Sequence, residues 1–336
     1  MKKYIVITTI HPKSPGIAKF EQMEDWQIVL VGDKKSVPIE PSENLTFLSA
    51  EDQNKLGYGL AKVCPYNHYT RKNIGYLYAI QQGADVIYET DDDNIPYDHW
   101  GLPEFACDRQ SASQQRFVNV YKYFTDALIW PRGYPLDEIQ QPASEEIVET
   151  DTLAIGVWQG LTDLDPDVDA VHRLVFNKQV TFEGKPSFAL GKGSYCPFNS
   201  QNTFWHTKAF PYLYLPATTS FRFTDVLRGY VAQQLMWSQG LHLGFTGATV
   251  YQERNPHNLM RDFADEVECY LNVKNIVNVL ASLELNSDPL THLEVAYQTL
   301  AEQEFVEAEE VALCQAWIKD VRAITGEQTV KGDRCG

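Results

Sequence analysis

The sequence predicts an α/β fold built on a doubly wound parallel sheet, and three observations lead there. Strand and helix signals alternate through the first ninety or so residues, which is the pattern of βαβ units. A short apolar run then ends in three adjacent aspartates, Val86-Ile-Tyr-Glu-Thr-Asp-Asp-Asp-Asn-Ile-Pro96, placing charge at the carboxyl end of a strand, where open α/β sheets bind ligands. After about Asn258 the chain becomes rich in Ala, Leu, Glu and Val, with few Gly or Pro and apolar positions at helical intervals through Ile318 and Val321.

The elements follow in order. Lys3-Tyr-Ile-Val-Ile-Thr-Thr9 and Trp26-Gln-Ile-Val-Leu-Val31 are β-branched and aromatic runs closed by polar residues or Gly, and Leu45-Thr-Phe-Leu48 is a shorter one. Ile74, Leu77, Tyr78 and Ile80 fall near helical spacing between Arg71 and Gln82, with Gly83 as the stop. Asp85-Val-Ile-Tyr88 resumes a strand. Between about Phe117 and Ala248, runs such as Ala154-Ile-Gly-Val-Trp158, the turn-rich Gly191-Lys-Gly-Ser-Tyr195 and the aromatic stretch from Phe204 to Tyr214 are expected to complete the sheet and shape an acceptor pocket. Phe223 to Met236 reads as a helix capped near Thr224 or Asp225. The expected organisation is a sheet domain over 1–258, a helical region over 259–328 and a flexible tail over 329–336.

Composition narrows the function. The chain has 336 residues, 44% of them hydrophobic and 12% aromatic, enough for a substantial core. With 28 basic and 45 acidic residues the net charge is 28 − 45 = −17, which opposes nucleic acid or anionic membrane as a partner. No stretch approaches the roughly 20 apolar residues of a membrane span, and Met1 to Ile10 is too short and strand-like for a signal peptide, so no integral membrane segment and a cytoplasmic location are expected. The six cysteines are scattered, without C-x-x-C pairs or zinc spacing, and read as buried reduced thiols.

Three adjacent carboxylates repel one another and need solvent, a cation or a basic partner. A calcium loop fails on spacing, because counting from Asp91 the sixth position is Pro96 where glycine is required. Two readings stay open: a solvated turn with a helix opening after Pro96, and a divalent cation bridging a substrate diphosphate. In the second, Asp91 and Asp93 point alike from a strand end and Asp92 faces another group, the D-x-D arrangement of metal-dependent sugar transferases. Arg71 and Lys72 precede an apolar helix whose N-terminus offers free N–H groups, which suits a diphosphate. Asp225 and Arg228, three apart on one helical face, suit a catalytic base kept ionised by its neighbour.

Thr70-Arg-Lys-Asn-Ile-Gly-Tyr-Leu-Tyr-Ala-Ile-Gln-Gln-Gly-Ala84, the aspartates, and Trp130-Pro-Arg-Gly-Tyr-Pro-Leu136 together resemble STELLO-type glycosyltransferases, most clearly from Trp26 to Leu136 and more loosely to about Glu266. The resemblance implies a GT-A, Rossmann-like sheet. It also implies Mn²⁺ or Mg²⁺ at Asp91 and Asp93, with Asp92 near the sugar or ribose. The nucleoside would lie at Thr8, Thr9 and His11 after the first strand and at Asp33 after the second, and His257 would add a metal ligand. Plant members are membrane-anchored Golgi proteins linked to cellulose synthase; with no such anchor read here, that location and partnership are not expected. A more distant likeness runs to the reversibly glycosylated polypeptides, which include UDP-arabinopyranose mutases. It rests on Arg71 to Asp93, Gly160-Leu-Thr-Asp-Leu-Asp165 with Asp169-Ala170, and Arg222 to Tyr230. Where that family has two adjacent acids this chain has Thr224-Asp225, which argues against mutase chemistry. The expected function is metal-dependent transfer of a sugar from a nucleoside diphosphate donor, UDP-linked, to a hydroxyl acceptor such as a glycan, with a UDP-sugar mutase or a non-catalytic sugar-nucleotide-binding scaffold as the alternatives.

Overall fold

Four parallel strands organise the N-terminal third: β1 (Lys3–Thr8), β2 (Trp26–Val31), β3 (Leu45–Leu48) and β4 (Val86–Thr90), in the order β3-β2-β1-β4. They form where the sequence runs β-branched and aromatic, and β4 is buried at every position. The computed structural model describes residues 1–141, 146–253, 258–285 and 288–326. The helices of this part are α1 (Pro15–Phe20), α2 (Ala50–Lys55), α3 (Gly59–Val63) and α4 (Lys72–Gln81), the last preceded by one 3-10 turn, Tyr69–Arg71. α4 lies unusually close to the sheet. A Cβ on Gly75 would stand 2.5 Å from Val31 and 2.6 Å from Val6, so only glycine permits that approach.

The sheet continues through β5 (Asn94–Pro96), β6 (Ala106–Ser111), β7 (Ile147–Asp163), β8 (Phe188–Ala189), β9 (Asn202–His206) and β10 (Leu241–Gln252). Among the described residues this makes a ten-stranded mixed sheet. β9 runs antiparallel between β4 and β7, so the parallel run ends there. Pro96 opens no helix; it closes β5, paired antiparallel with Val250 of β10. The short α5 (Tyr121–Phe124) and α6 (Ala170–Val175) lie in the connections, and α7 (Thr224–Met236) is buried nearly all round.

Three C-terminal helices follow, α8 (Leu259–Ala281), α9 (Pro289–Glu302) and α10 (Glu309–Thr325), as the amphipathic pattern predicts. Their apolar faces share one hydrophobic cluster with α4, α7 and one side of the sheet. Polar ties reinforce the join: Asp320 of α10 accepts from the amides of Gly59 and Leu60, both at 2.8 Å, and Glu310 accepts from the amides of Ala217 (2.9 Å) and Thr218 (2.7 Å). The opposite face is covered by an aromatic group of Phe20, Trp26, Tyr88, Trp100 and Phe204. The five described cysteines are free and buried, while Cys335 lies outside the described residues. No helix among the described residues is long and apolar enough to cross a membrane.

Candidate active site

Asp91, Asp92 and Asp93 form the turn between β4 and β5, at the carboxyl end of the parallel strands. The turn is held from three sides. Thr9, just past β1, donates to Asp92 Oδ2 at 2.5 Å, and the Ser14 hydroxyl donates to the Asp92 carbonyl. Gln252, opposite Asn94 in the β5–β10 register, donates to Asp93 Oδ2 at 2.6 Å. Lys72, at the start of α4, is fully buried and places Nζ 2.8 Å from the Thr90 carbonyl and 3.6 Å from Asp91 Oδ1. α1 approaches so closely that a Cβ on Gly16 would stand 2.1 Å from the Asn94 carbonyl.

Burial works against the charged form here. Asp91 keeps 37% of its side-chain exposure, yet burial of its surroundings pushes its carboxyl up to about 7; Lys72 opposes this, and Asp93, Asp225 and Asp92 reinforce it. Asp93 is raised as well, by burial first and by Asp92, against the Gln252 hydrogen bond. The buried Asn94 Oδ1 adds an oxygen with no hydrogen-bond partner. Among the described residues no group of three His, Cys, Asp or Glu side chains converges to hold a metal unaided. Carboxylate oxygens of Asp91 and Asp93 on one turn, with the Asn94 side-chain oxygen beside them, fit a hard divalent cation that takes its remaining ligands from phosphate and water.

A second acidic centre lies at the start of α7. Arg132 lays its guanidinium between two carboxylates: Nε and one terminal nitrogen reach Asp167 at 2.7 and 2.8 Å, and both terminal nitrogens reach Asp225 at 3.0 Å. All three side chains are buried. Asn199 donates to Asp167 at 2.7 Å, and the Ser200 amide and hydroxyl reach Asp225 at 3.4 and 3.5 Å. Burial alone would raise Asp225; the Arg132 guanidinium overrides it, with help from Arg228 and Arg222, and holds the carboxyl below its usual range.

The two centres are joined. Lys72 Nζ lies 3.4 Å from the Ser200 carbonyl and 3.5 Å from the Tyr69 hydroxyl, and the Tyr69 hydroxyl hydrogen-bonds Ser200 Oγ. One polar run therefore passes from Asp91 through Lys72 and Ser200 to Asp225 and Arg132.

Most other expected site residues are found at this end of the sheet, but not all face the aspartates. Thr8 closes β1, half-buried, and Thr9 touches Asp92; His11 is exposed, and its backbone meets Thr9 Oγ1, the amide at 3.1 Å and the carbonyl at 3.4 Å. Asp33 accepts from the amides of Lys34 (2.6 Å) and His68 (3.2 Å), shaping its own loop. Arg71 departs from expectation: its guanidinium is enclosed, bonded to Gln53 Oε1 at 2.6 and 2.9 Å and to the carbonyls of Ala61 (3.1 Å) and Cys64 (3.0 Å), which leaves it braced against the α2–α3 segment instead of facing a phosphate. Arg228 departs as well, pairing at 2.8 Å with the fully buried Glu89 of β4 and packing on Trp205, so Asp225 takes its direct ion pair from Arg132. His257 lies outside the described residues. Trp158 and Trp205 are core side chains whose indole N–H groups donate to the Glu104 carbonyl and to Glu89, both at 2.8 Å, and Trp237 packs on Tyr195.

Arg132, Asp167, Ser200, Tyr69 and Gln252 were not anticipated. Arg132 sits within the Trp130–Leu136 stretch and Asp167 just after Gly160–Asp165, so both motifs were visible without their partnership. The model of the family described as STELLO glycosyltransferases matches residues 222–330, which include Asp225 and the helices behind it. The protein named "Probable glycosyltransferase STELLO1" of Arabidopsis thaliana is 28% identical over 359 residues, covering 97% of this chain. The chain is thus similar to STELLO glycosyltransferases. "Probable glycosyltransferase STELLO2" of the same plant is likewise 28% identical, over 355 residues and 97% of the chain. The chain spans 45% of the length of each of these relatives.

Proposed function

We propose that this chain is a metal-dependent glycosyltransferase that moves a sugar from a nucleoside diphosphate donor, UDP-linked, to a hydroxyl on a glycan-type acceptor. The observation that carries the reading is the polar run from Asp91 through Lys72 and Ser200 to Asp225, which sets a cation-suited acidic turn beside an ionised carboxylate. The likeness to named glycosyltransferases supports the reaction class.

Asp91 and Asp93 would hold Mn²⁺ or Mg²⁺, which supplies charge compensation for the departing diphosphate. The Lys72 ammonium, fixed on the Thr90 carbonyl, adds a second positive charge at the floor of the turn. Asp225 accepts the acceptor's hydroxyl proton as that oxygen bonds to the anomeric carbon and the carbon–oxygen bond to the diphosphate breaks, with inversion. Arg132 keeps Asp225 deprotonated and fixes its direction.

Calorimetric titration of UDP into the protein, with Mn²⁺, with Mg²⁺ and with chelator, tests this directly. Metal-dependent binding that disappears in Asp93→Ala is expected. UDP binding that ignores both the chelator and the substitution would overturn the metal assignment, and no binding of any nucleoside diphosphate would overturn the transferase reading.

A further inference from the structure

Against Tyr69, whose hydroxyl reaches the Arg132 centre through Ser200, stands an aromatic side chain with no role in the reaction described so far. Phe221 leaves 59% of its surface exposed, four positions before Asp225. Single exposed apolar side chains are common and mean nothing by themselves. Two features set this one apart.

Its backbone is fixed on both sides. Ser220 donates its hydroxyl to the Asp265 carbonyl of α8 and accepts at its own carbonyl from the amides of Phe223 (2.9 Å) and Thr224 (3.2 Å). Arg222 pairs with Glu266 at 2.7 Å, and its carbonyl accepts from Arg132. Phe221 is thus presented outward from a braced turn.

Its ring also stands at the edge of the site. The centroid lies 5.5 Å from that of Tyr69 at an interplanar angle of 69°, and the Tyr69 hydroxyl bonds Ser200 beside Asp225. Phe221, Tyr69 and Ser200 form a graded wall, apolar outside and polar where Asp225 lies.

We infer that Phe221 is the platform on which a pyranose ring of the acceptor stacks, an inference that rests on the transferase reading above. A pyranose presents a face of C–H groups with hydroxyls directed sideways. Laid on a flat ring it removes apolar area from water while its hydroxyls stay free to reach inward. A rigid aromatic loses little conformational freedom on binding, which suits it to anchor a polar ligand. The ring is a positioning and specificity group for the acceptor and contributes nothing to donor binding.

Saturation-transfer NMR on the whole chain with UDP and Mn²⁺ tests this without turnover, using methyl glucopyranoside, methyl galactopyranoside and methyl xylopyranoside as probes and open-chain glucitol as the control. The wild type and Phe221→Tyr should transfer saturation to pyranose C–H protons of at least one glycoside and not to glucitol, and Phe221→Ala should weaken that binding by about tenfold. UDP titration of the same samples separates the two levels. Unchanged UDP affinity in Phe221→Ala with a lost glycoside signal supports the platform. A glycoside signal that survives Phe221→Ala, equal transfer to glucitol, no transfer to any glycoside in the wild type, or weakened UDP affinity in Phe221→Ala overturns the platform alone. Failure of the wild type to bind UDP removes the transferase reading and the platform with it.

Discussion

The turn at Asp91–Asp93 and the centre around Arg132 are both acidic, both lie at the same end of the sheet, and differ in how their charge is met. At Arg132 each carboxylate is matched within the chain: one guanidinium lies between Asp167 and Asp225, with Asn199 and Ser200 completing the set. At the turn, the Lys72 ammonium stands 3.6 Å from Asp91, and burial pushes Asp91 and Asp93 both toward the neutral form. A region that meets its own charge holds its carboxylate ionised and aimed before any ligand arrives. A region whose carboxyls burial pushes toward the neutral form, at a solvent-accessible position, is suited to a cation from outside.

Breaking the self-sufficient centre should have the largest effect. Arg132→Leu leaves two buried carboxylates facing each other and should cost about 3–5 kcal/mol in chemical denaturation. Asp225→Asn keeps shape but removes the base; turnover should fall about 10²–10⁴-fold with UDP binding intact, and an unchanged rate would exclude Asp225 as base. Asp91→Asn acts in the opposite sense on stability. It replaces a carboxyl that burial already pushes toward the neutral form, so the metal-free protein should melt at the same or a slightly higher temperature while metal-dependent UDP affinity drops about tenfold or more. If Asp91→Asn instead melts markedly lower, the contrast fails.

A smaller effect should appear with pH. Asp169, which accepts from the Trp130 indole and the His172 amide, is pushed up to about 6 from 3.8, by burial first. The folded protein then holds this proton more tightly than the unfolded chain. Its favourable contribution is present below the unfolded value and is lost as pH rises toward 6. Asp169→Asn should flatten the stability profile between these values, and an unaltered slope would place the effect on another group.

What the sequence made legible was local. β1 to β4 and α4 are set by runs whose own composition demands burial, and their ends fall within a residue or two of expectation. The direction of β9 was not legible, because a short aromatic run reads alike in either orientation and only pairing with β4 and β7 decides it. Arg228 shows the same limit. Three-residue spacing puts it on a face with Asp225, but nothing local says that this face meets Glu89, hidden within a strand 139 residues earlier. Arg71 does begin a helix near the aspartates; the segment that closes over it, from Gln53 to Cys64, is visible only once folded. Arg132 meets Asp167 across 35 positions and Asp225 across 93, a coincidence of chain path that no motif encodes.

Glu266 of α8 accepts from the Ala170 amide at 2.7 Å and pairs with Arg222, whose carbonyl in turn receives Arg132. The helical region thus reaches the carboxylate proposed as base through two residues. For anyone shortening this chain for expression, a clone stopped after the last sheet strand would retain every aspartate of the turn and lose the brace on Asp225. It should bind nucleotide better than it turns substrate over, a split that would be misread as a missing cofactor.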